Sequence, residues 1–436
     1  MATVFQPGPA APASGQTYLH RLPVAAIIGL ALALPMLVSG LAFTTYDIAM
    51  TSLPLEILRQ LNAPFVFAEL VICAWAFVRG FKLRGSFMAL DKPARIALAV
   101  FAASFWIGGA FVSKAAPFAT LFNLSYAIHI AFLAAVAQLA RGWSERDTAM
   151  LGRLAALALA GFGAMIAIRF LLPPPGRPVD TIQWQFAIPG FISVRLFGAV
   201  AGAWATVALY LATTRASEPN LRSWVFAACT LTVGMVVWSG TRAAVFGIGV
   251  AGTIALLRWR ASMRPELVAK ASGAAILGCI LAVVLLPYGD RDFWLFIPSD
   301  FQGGADTVAS GRLTLWLASW KAFCTVPLFG AGPGASAWIL PPTIFPHIQP
   351  HNLVMEFLLN WGLIAAGAAL FLLVKLVASA HRRAGNEPTA VPFLLAADSL
   401  LAMALLDGTF HFAQHLMLWA AFMGIALGAA SNARPA

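Results

Sequence analysis

The sequence predicts an all-α polytopic membrane protein of about twelve transmembrane helices, with one long outer-side loop that carries an interfacial helix. Three observations lead there. The 436 residues are 60% hydrophobic and only 10% charged, with a mean hydropathy of +0.82, whereas a soluble domain runs at about 45–50% apolar and about 25% charged. Apolar stretches able to cross a hydrocarbon core of ~30 Å, at ~1.5 Å per residue, recur along the whole chain. The charges sit in the short segments between them. An ordinary water-soluble enzyme, a disordered chain and a coiled coil are excluded. The net charge of +11 is spread over loops rather than gathered on one face, so no nucleic-acid partner is expected.

In chain order, residues 1–23 read as a flexible tail with Pro7, Pro9 and Pro12 and no basic residue before Arg21. The apolar run at 24–43 is too long for a typical signal-peptide core and reads as a retained first span. Further spans fall at about 64–81, 94–112, 117–140, 151–172, 194–212, 223–238, 243–257 and 268–287, then 352–378, 391–406 and 411–430. Residues 24–287 therefore hold spans 1–9, 288–351 the long loop, 352–430 spans 10–12, and 431–436 a short tail. Loops on the side of the termini carry 19 of the 28 basic residues and six acids; the opposite side carries eight of each. The positive-inside rule then makes both termini cytoplasmic. Cys73, Cys229, Cys279 and Cys324 lack metal-type spacing, and three of them lie in apolar runs, so a disulfide framework is not expected.

The loop 288–351 opens with an acidic, aromatic stretch (Asp290, Asp292, Trp294, Asp300, Asp306). At 310–323, Leu313, Trp316, Leu317, Trp320 and Cys324 recur at helical spacing, with Ser310 placed to cap. Such a Trp-rich amphipathic helix is expected at the membrane interface. A Gly/Pro turn region (PLFGAGPGA, 327–335) and a Pro-studded stretch (341–351) follow.

Ionisable groups inside spans are costly and mark function by default. Here they are Glu69, Arg169, Glu356 and Asp398. Glu69, Arg169 and Glu356 are expected near outer span ends, where they would join Arg195, Arg242 and His351 in one polar chamber; structural ion pairs such as Arg169–Glu69 are the alternative. Arg195 and Arg242 each open a span, next to free backbone N–H groups, which suits a phosphate or diphosphate; snorkelling to lipid headgroups is the competing reading. His351 has a side chain suited to proton abstraction near neutral pH. His347 and His351 mimic a metal pair, but Pro350 disfavours a shared helical face. Asp407, His411 and His415 at i, i+4, i+8 form either a metal stripe or a hydrogen-bonded polar one. No metal or other cofactor is expected. An inverted repeat and an ATP-binding P-loop are both missing from the sequence, which argues against a transporter or an ATP-driven pump.

Taken in order, these segments resemble the O-antigen ligase and polymerase superfamily of bacterial surface-polysaccharide enzymes. The resemblance rests on the span count, an SxxR turn (Ser239 to Arg242), SGR…W…PLFGxG in the long loop (Ser310 to Gly332) and HNxxxExxxxxGL (His351 to Leu363). It is specific over about 189–365. It implies an inverting, metal-independent glycosyltransferase of the inner (cytoplasmic) membrane, with a periplasmic active site in and around a periplasmic loop. The donor would be an undecaprenyl diphosphate-linked glycan and the acceptor a lipid A-core or similar glycolipid hydroxyl, amid membrane lipids. Arg195 and Arg242 would then bind the diphosphate and His351 would be the catalytic base, with Arg312, Asn352 and Glu356 as further substrate contacts. A polysaccharide polymerase of the same superfamily is the alternative, and a lipid-linked oligosaccharide flippase the rival from another class.

Overall fold

The computed structural model of the chain describes residues 23–42, 63–171, 191, 193–285, 311–341, 349–385 and 387–430. It is helical throughout, with no strand among the described residues. The expected tails at 1–23 and 431–436, apart from residue 23, and the acidic stretch of the long loop lie outside them.

Each of the twelve expected spans coincides with a helix: α1 (Val24–Ala42), α2 (Ala63–Val78), α4 (Lys92–Ile107, continued by a π turn at Gly108–Val112), α5 (Ala116–Leu139), α6 (Glu145–Leu171) and α7 (Val194–Thr214). Then come α8 (Pro219–Trp238), α9 (Arg242–Trp259), α10 (Pro265–Val284), α13 (Leu353–Ala384), α14 (Val391–Ala404) and α15 (Ala413–Ala429). Eight of these are long and apolar enough to cross a membrane, and α1, α2, α14 and α15 are shorter apolar helices. Outside the spans lie α3 (Leu83–Met88), α11 (Arg312–Phe323) and α12 (Ser336–Ile339). Five helices start on a proline, α4, α5, α8, α10 and α14 each carrying one in the first turn, where a missing N–H costs nothing; Pro35 lies inside α1.

Three helices form the centre. Every residue of α15 is buried and nearly every one of α7 and α14. Around them the other helices present carbon outward: Phe111 is 84% exposed, Leu257 79% and Val284 72%. That is the inverse of a water-soluble protein and the expected surface of one in lipid. Close helix crossings use small residues, the usual means where lipid is as apolar as protein. Gly202 on α7 lies against Ala244 on α9, and Gly234 on α8 meets the backbone of Gly278 on α10.

Helix α13 is broken at Gly362, whose backbone is non-helical (φ 68°, ψ −179°). The turn region 327–332 docks into the break main chain to main chain. Ala331 N–H donates to Leu359 O at 2.8 Å, Gly332 N–H to Asn360 O at 3.0 Å, and Leu363 N–H to Pro327 O at 2.8 Å. Gly330, at φ 70°, leaves no room for a Cβ against Asn360 and Gly362. Two Gly-containing motifs far apart in sequence are thus one joint. It fixes α11 to the start of α13. On α11 the expected stripe is the outward face, with Leu313, Leu317 and Trp320 exposed, while Leu315, Ser319, Ala322 and Phe323 pack inward. Ser310 lies outside the described residues; the position before the helix is Gly311, left-handed at φ 72° with no side-chain cap.

Candidate active site

One end of the bundle carries residues 311–341 and 349–352, and the helix termini there hold the polar side chains singled out in the sequence. His351 and Asn352 open α13 as expected. The Asn352 side chain accepts from Val354 N–H and Met355 N–H, both at 3.0 Å, as an N-cap. Its amide donates to Leu405 O at 2.9 Å, tying the helix start to the end of α14. Asn352 thus clamps the start of α13 to the end of α14. His351 precedes it in a left-handed conformation (φ 52°), the one non-glycine with positive φ among the described residues. Such strain persists only where the surroundings hold it. Here the Trp316 indole of α11 donates to Pro350 O at 3.0 Å.

The consequence of that turn is contact with Asp407. His351 Nδ1–H donates to Asp407 Oδ1 at 2.8 Å, and Arg312 Nη2 lies 3.5 Å from Asp407 Oδ2. Gly408 N–H donates to the same carboxylate at 2.8 Å. Burial alone would push the Asp407 carboxyl up, but the His351 hydrogen bond and charge, the Arg312 charge and the Gly408 N–H outweigh it and hold it below the usual carboxylate range. Arg195 is the second residue of α7, whose Ser193 side chain caps the helix at Arg195 N–H, 3.2 Å away. Arg242 is the first residue of α9. The two helix starts are pinned together, Thr241 Oγ1 donating to Arg195 O at 3.3 Å. Arg195 lies in electrostatic range of Asp407, Arg312 and Arg242, and Arg242 in range of Arg312. Three half-buried guanidinium groups and a histidine–aspartate pair thus share one region at the helix ends.

The single polar chamber expected from the sequence divides into separate clusters. Glu356 is buried in α13 and accepts from His411 Nδ1–H at 2.7 Å. Glu69 pairs with His129 of α5 at 2.6 Å, both buried. The side chain of Arg169 lies outside the described residues. Asp398 pairs with His381 at 2.9 Å. The metal reading of Asp407, His411 and His415 is also corrected. Asp407 serves His351, His411 serves Glu356, and His415 Nε2–H donates to Leu196 O at 2.8 Å. Helical spacing does not converge them, because Gly408 and a 3₁₀ turn at Thr409–His411 interrupt the helix. No described group of three His, Cys, Asp or Glu side chains could hold a metal ion. His347 lies outside the described residues.

Asp407 as the partner of His351 is the residue that sequence reasoning missed. The available signal was an acid in an Asp-Gly turn between two spans, at the end of the bundle where the arginines also lie.

Fold and site define a polytopic helical membrane protein with a cationic, histidine-bearing site at one end of its bundle. Residues 227–372 match the family profile described as O-antigen ligase. The match supports the O-antigen ligase superfamily, and with it a glycosyltransferase of the ligase and polymerase type whose members work on lipid-linked glycans. The matched stretch includes Arg242, Arg312, His351 and the joint at Gly362, and excludes Arg195 and Asp407. No curated protein matches the chain.

Proposed function

We propose that this protein transfers a glycan from undecaprenyl diphosphate to a hydroxyl of lipid A-core or a similar acceptor, at the periplasmic face of the bacterial inner membrane. The observation that carries the reading is the convergence of Arg195, Arg242 and Arg312 beside the His351–Asp407 pair. Three like charges brought together repel, and a diphosphate relieves that repulsion while its lipid tail stays in the bilayer. Asp407 fixes the imidazole with its proton on Nδ1, which leaves Nε2 to act as base.

In the reaction, the acceptor O–H proton passes to His351 as the oxygen attacks the anomeric carbon. The bond from that carbon to the diphosphate oxygen breaks, and undecaprenyl diphosphate leaves with the electron pair. Attack opposite the leaving group inverts the centre. The arginines stabilise charge where it develops, so the activated donor needs neither nucleotide nor ATP. The excess of basic residues in loops on the far side supports cytoplasmic termini and a periplasmic site.

Two experiments test this. A deletion strain should accumulate complete glycan on its lipid carrier; single repeat units would make the enzyme a polymerase, and donor trapped at the cytoplasmic face a flippase. In purified protein, His351→Ala should lose turnover by ~10²-fold or more, the usual contribution of a general base, while still binding labelled undecaprenyl diphosphate glycan. Loss of donor binding and activity together would reduce His351 to a structural residue.

A further inference from the structure

A cavity of about 670 Å³, lined by none of Arg195, Arg242, Arg312, His351 and Asp407, lies between α3, α4, α5, α13 and α15. Its size falls within the ~300–1,000 Å³ of ligand pockets. Leu98, Phe101, Ile130, Ala134, Leu372 and Leu376 make walls that are almost wholly carbon. Water does not fill such a space, because apolar cavities offer it no partners.

Position says which hydrocarbon fits. On α4 the lining runs from Ala94 to Phe101, on α5 from Tyr126 to Ala134 and on α13 from Phe357 to Leu376, so the shaft extends from the basic end of the bundle towards the start of α13. Its two charged lining residues, Arg84 and Lys375, both lie at the basic end. The cavity's outer rim is formed by Leu83, Arg84, Ser86 and Phe87 of α3 and by Lys375, all in segments at the basic end of the bundle. Lys375 is committed to Asp91, the N-cap of α4. Arg84 is exposed, as are Lys82 and Lys92, and Leu83 and Met88 of α3 present bare carbon beside them. A basic rim above an apolar shaft is complementary to a lipid with a negative headgroup.

We propose that this cavity holds an acyl chain of an anionic phospholipid from the leaflet at the basic end, with its headgroup phosphate at Arg84. This lipid is separate from the glycan donor, whose diphosphate belongs at the other end. The test uses the full chain purified in mild detergent, its retained lipids identified by mass spectrometry, and its thermal unfolding followed after delipidation. A stoichiometric anionic phospholipid should co-purify. Added phosphatidylglycerol should raise the unfolding temperature and phosphatidylcholine should do so far less. Arg84→Gln, a surface change, should erase that preference, and Ala134→Phe, which fills the shaft, should prevent retention. The proposal fails if an isoprenoid phosphate is retained instead, if no lipid is retained, if both phospholipids stabilise alike, or if Arg84→Gln leaves the preference intact. Should Ala134→Phe not fold, the Arg84→Gln comparison decides alone.

Discussion

Replacing Gly362 by Ala attacks the joint between the long loop and α13. Gly362 sits at φ 68°, ψ −179°, a region that L residues occupy at a cost of about 1–3 kcal/mol. The new Cβ would lie 2.4 Å from Gly330 N and 2.4 Å from the Leu328 carbonyl, so the docked turn must withdraw. Withdrawal breaks some of the main-chain bonds that Ala331, Gly332 and Leu363 make across the joint, each worth about 0.5–1.5 kcal/mol. Losing two of them with the conformational cost gives about 2–6 kcal/mol. Even the lower figure corresponds to about 30-fold faster amide exchange, since 1.4 kcal/mol is tenfold. Hydrogen exchange by mass spectrometry over 327–332 and 359–364 reads this directly. Transfer activity should fall with it, because the joint holds Arg312 in register with His351. Gly367→Ala, on the same helix with open space at its Cβ, is the silent control. Unchanged protection in Gly362→Ala would refute the reasoning.

Arg195→Ala and Arg242→Ala should each abolish glycan transfer with insertion intact, and Arg→Lys should rescue poorly because a point charge lacks the two-pronged donor; full activity in either Ala variant removes that residue from the site. Asp407→Asn keeps the volume and an acceptor for Gly408 N–H but loses the charge that steadies His351, so turnover should drop by ~10²-fold or more with donor binding retained; a rate within threefold of wild type would dispense with the pair. Because the folded-state pKa of Asp407 is lowered, its contribution to stability is complete above the ordinary carboxylate value of ~3.9 and is lost only as pH falls below that. Wild type should therefore be more stable than Asp407→Asn by a constant margin above that value, and the margin should close as pH falls through the acid range; a margin that closed near neutral pH instead would contradict the assignment. Cys324 is exposed beside α11, so an impermeant thiol reagent should label it in cells with a permeabilised outer membrane. Labelling only after lysis would invert the orientation.

The bundle was legible because lipid imposes a simple demand: each crossing must be a long run of carbon, and each run in this sequence is one. Arg195, Arg242 and His351 stood out for a related reason, as polar groups at span starts on one side. Other features left no such trace. Asp407 reaches His351 across 56 residues of chain, and its helical spacing to His411 and His415 pointed to the wrong partners. Gly362 lies in an apolar run where glycine reads as an ordinary packing residue, yet its backbone turns out of the helix. The partner of Glu356 was equally unreadable, since His411 lies 55 residues further along the chain. Pairings across the bundle depend on how helices rotate about their axes, which a nearly all-apolar helix does not encode in its polarity.

The burial of α7 and α15 has a consequence in time. Helices reach the membrane in the order of synthesis, and α7 is inserted well before α14 and α15 exist to cover it. Lipid is an acceptable neighbour for its Ala- and Gly-rich faces in the interval, since little hydrophobic gain separates lipid from protein contact. The residues at its start are less complete. Arg195 waits for Asp407, and Leu196 O waits for His415, both delivered by the later helices. The cluster therefore comes into being only when the central helices close on one another. Under the proposed function, a partly synthesised chain would hold the arginines that attract a lipid diphosphate before it has the aspartate that readies the histidine. Catalytic competence would then be deferred until the bundle is whole.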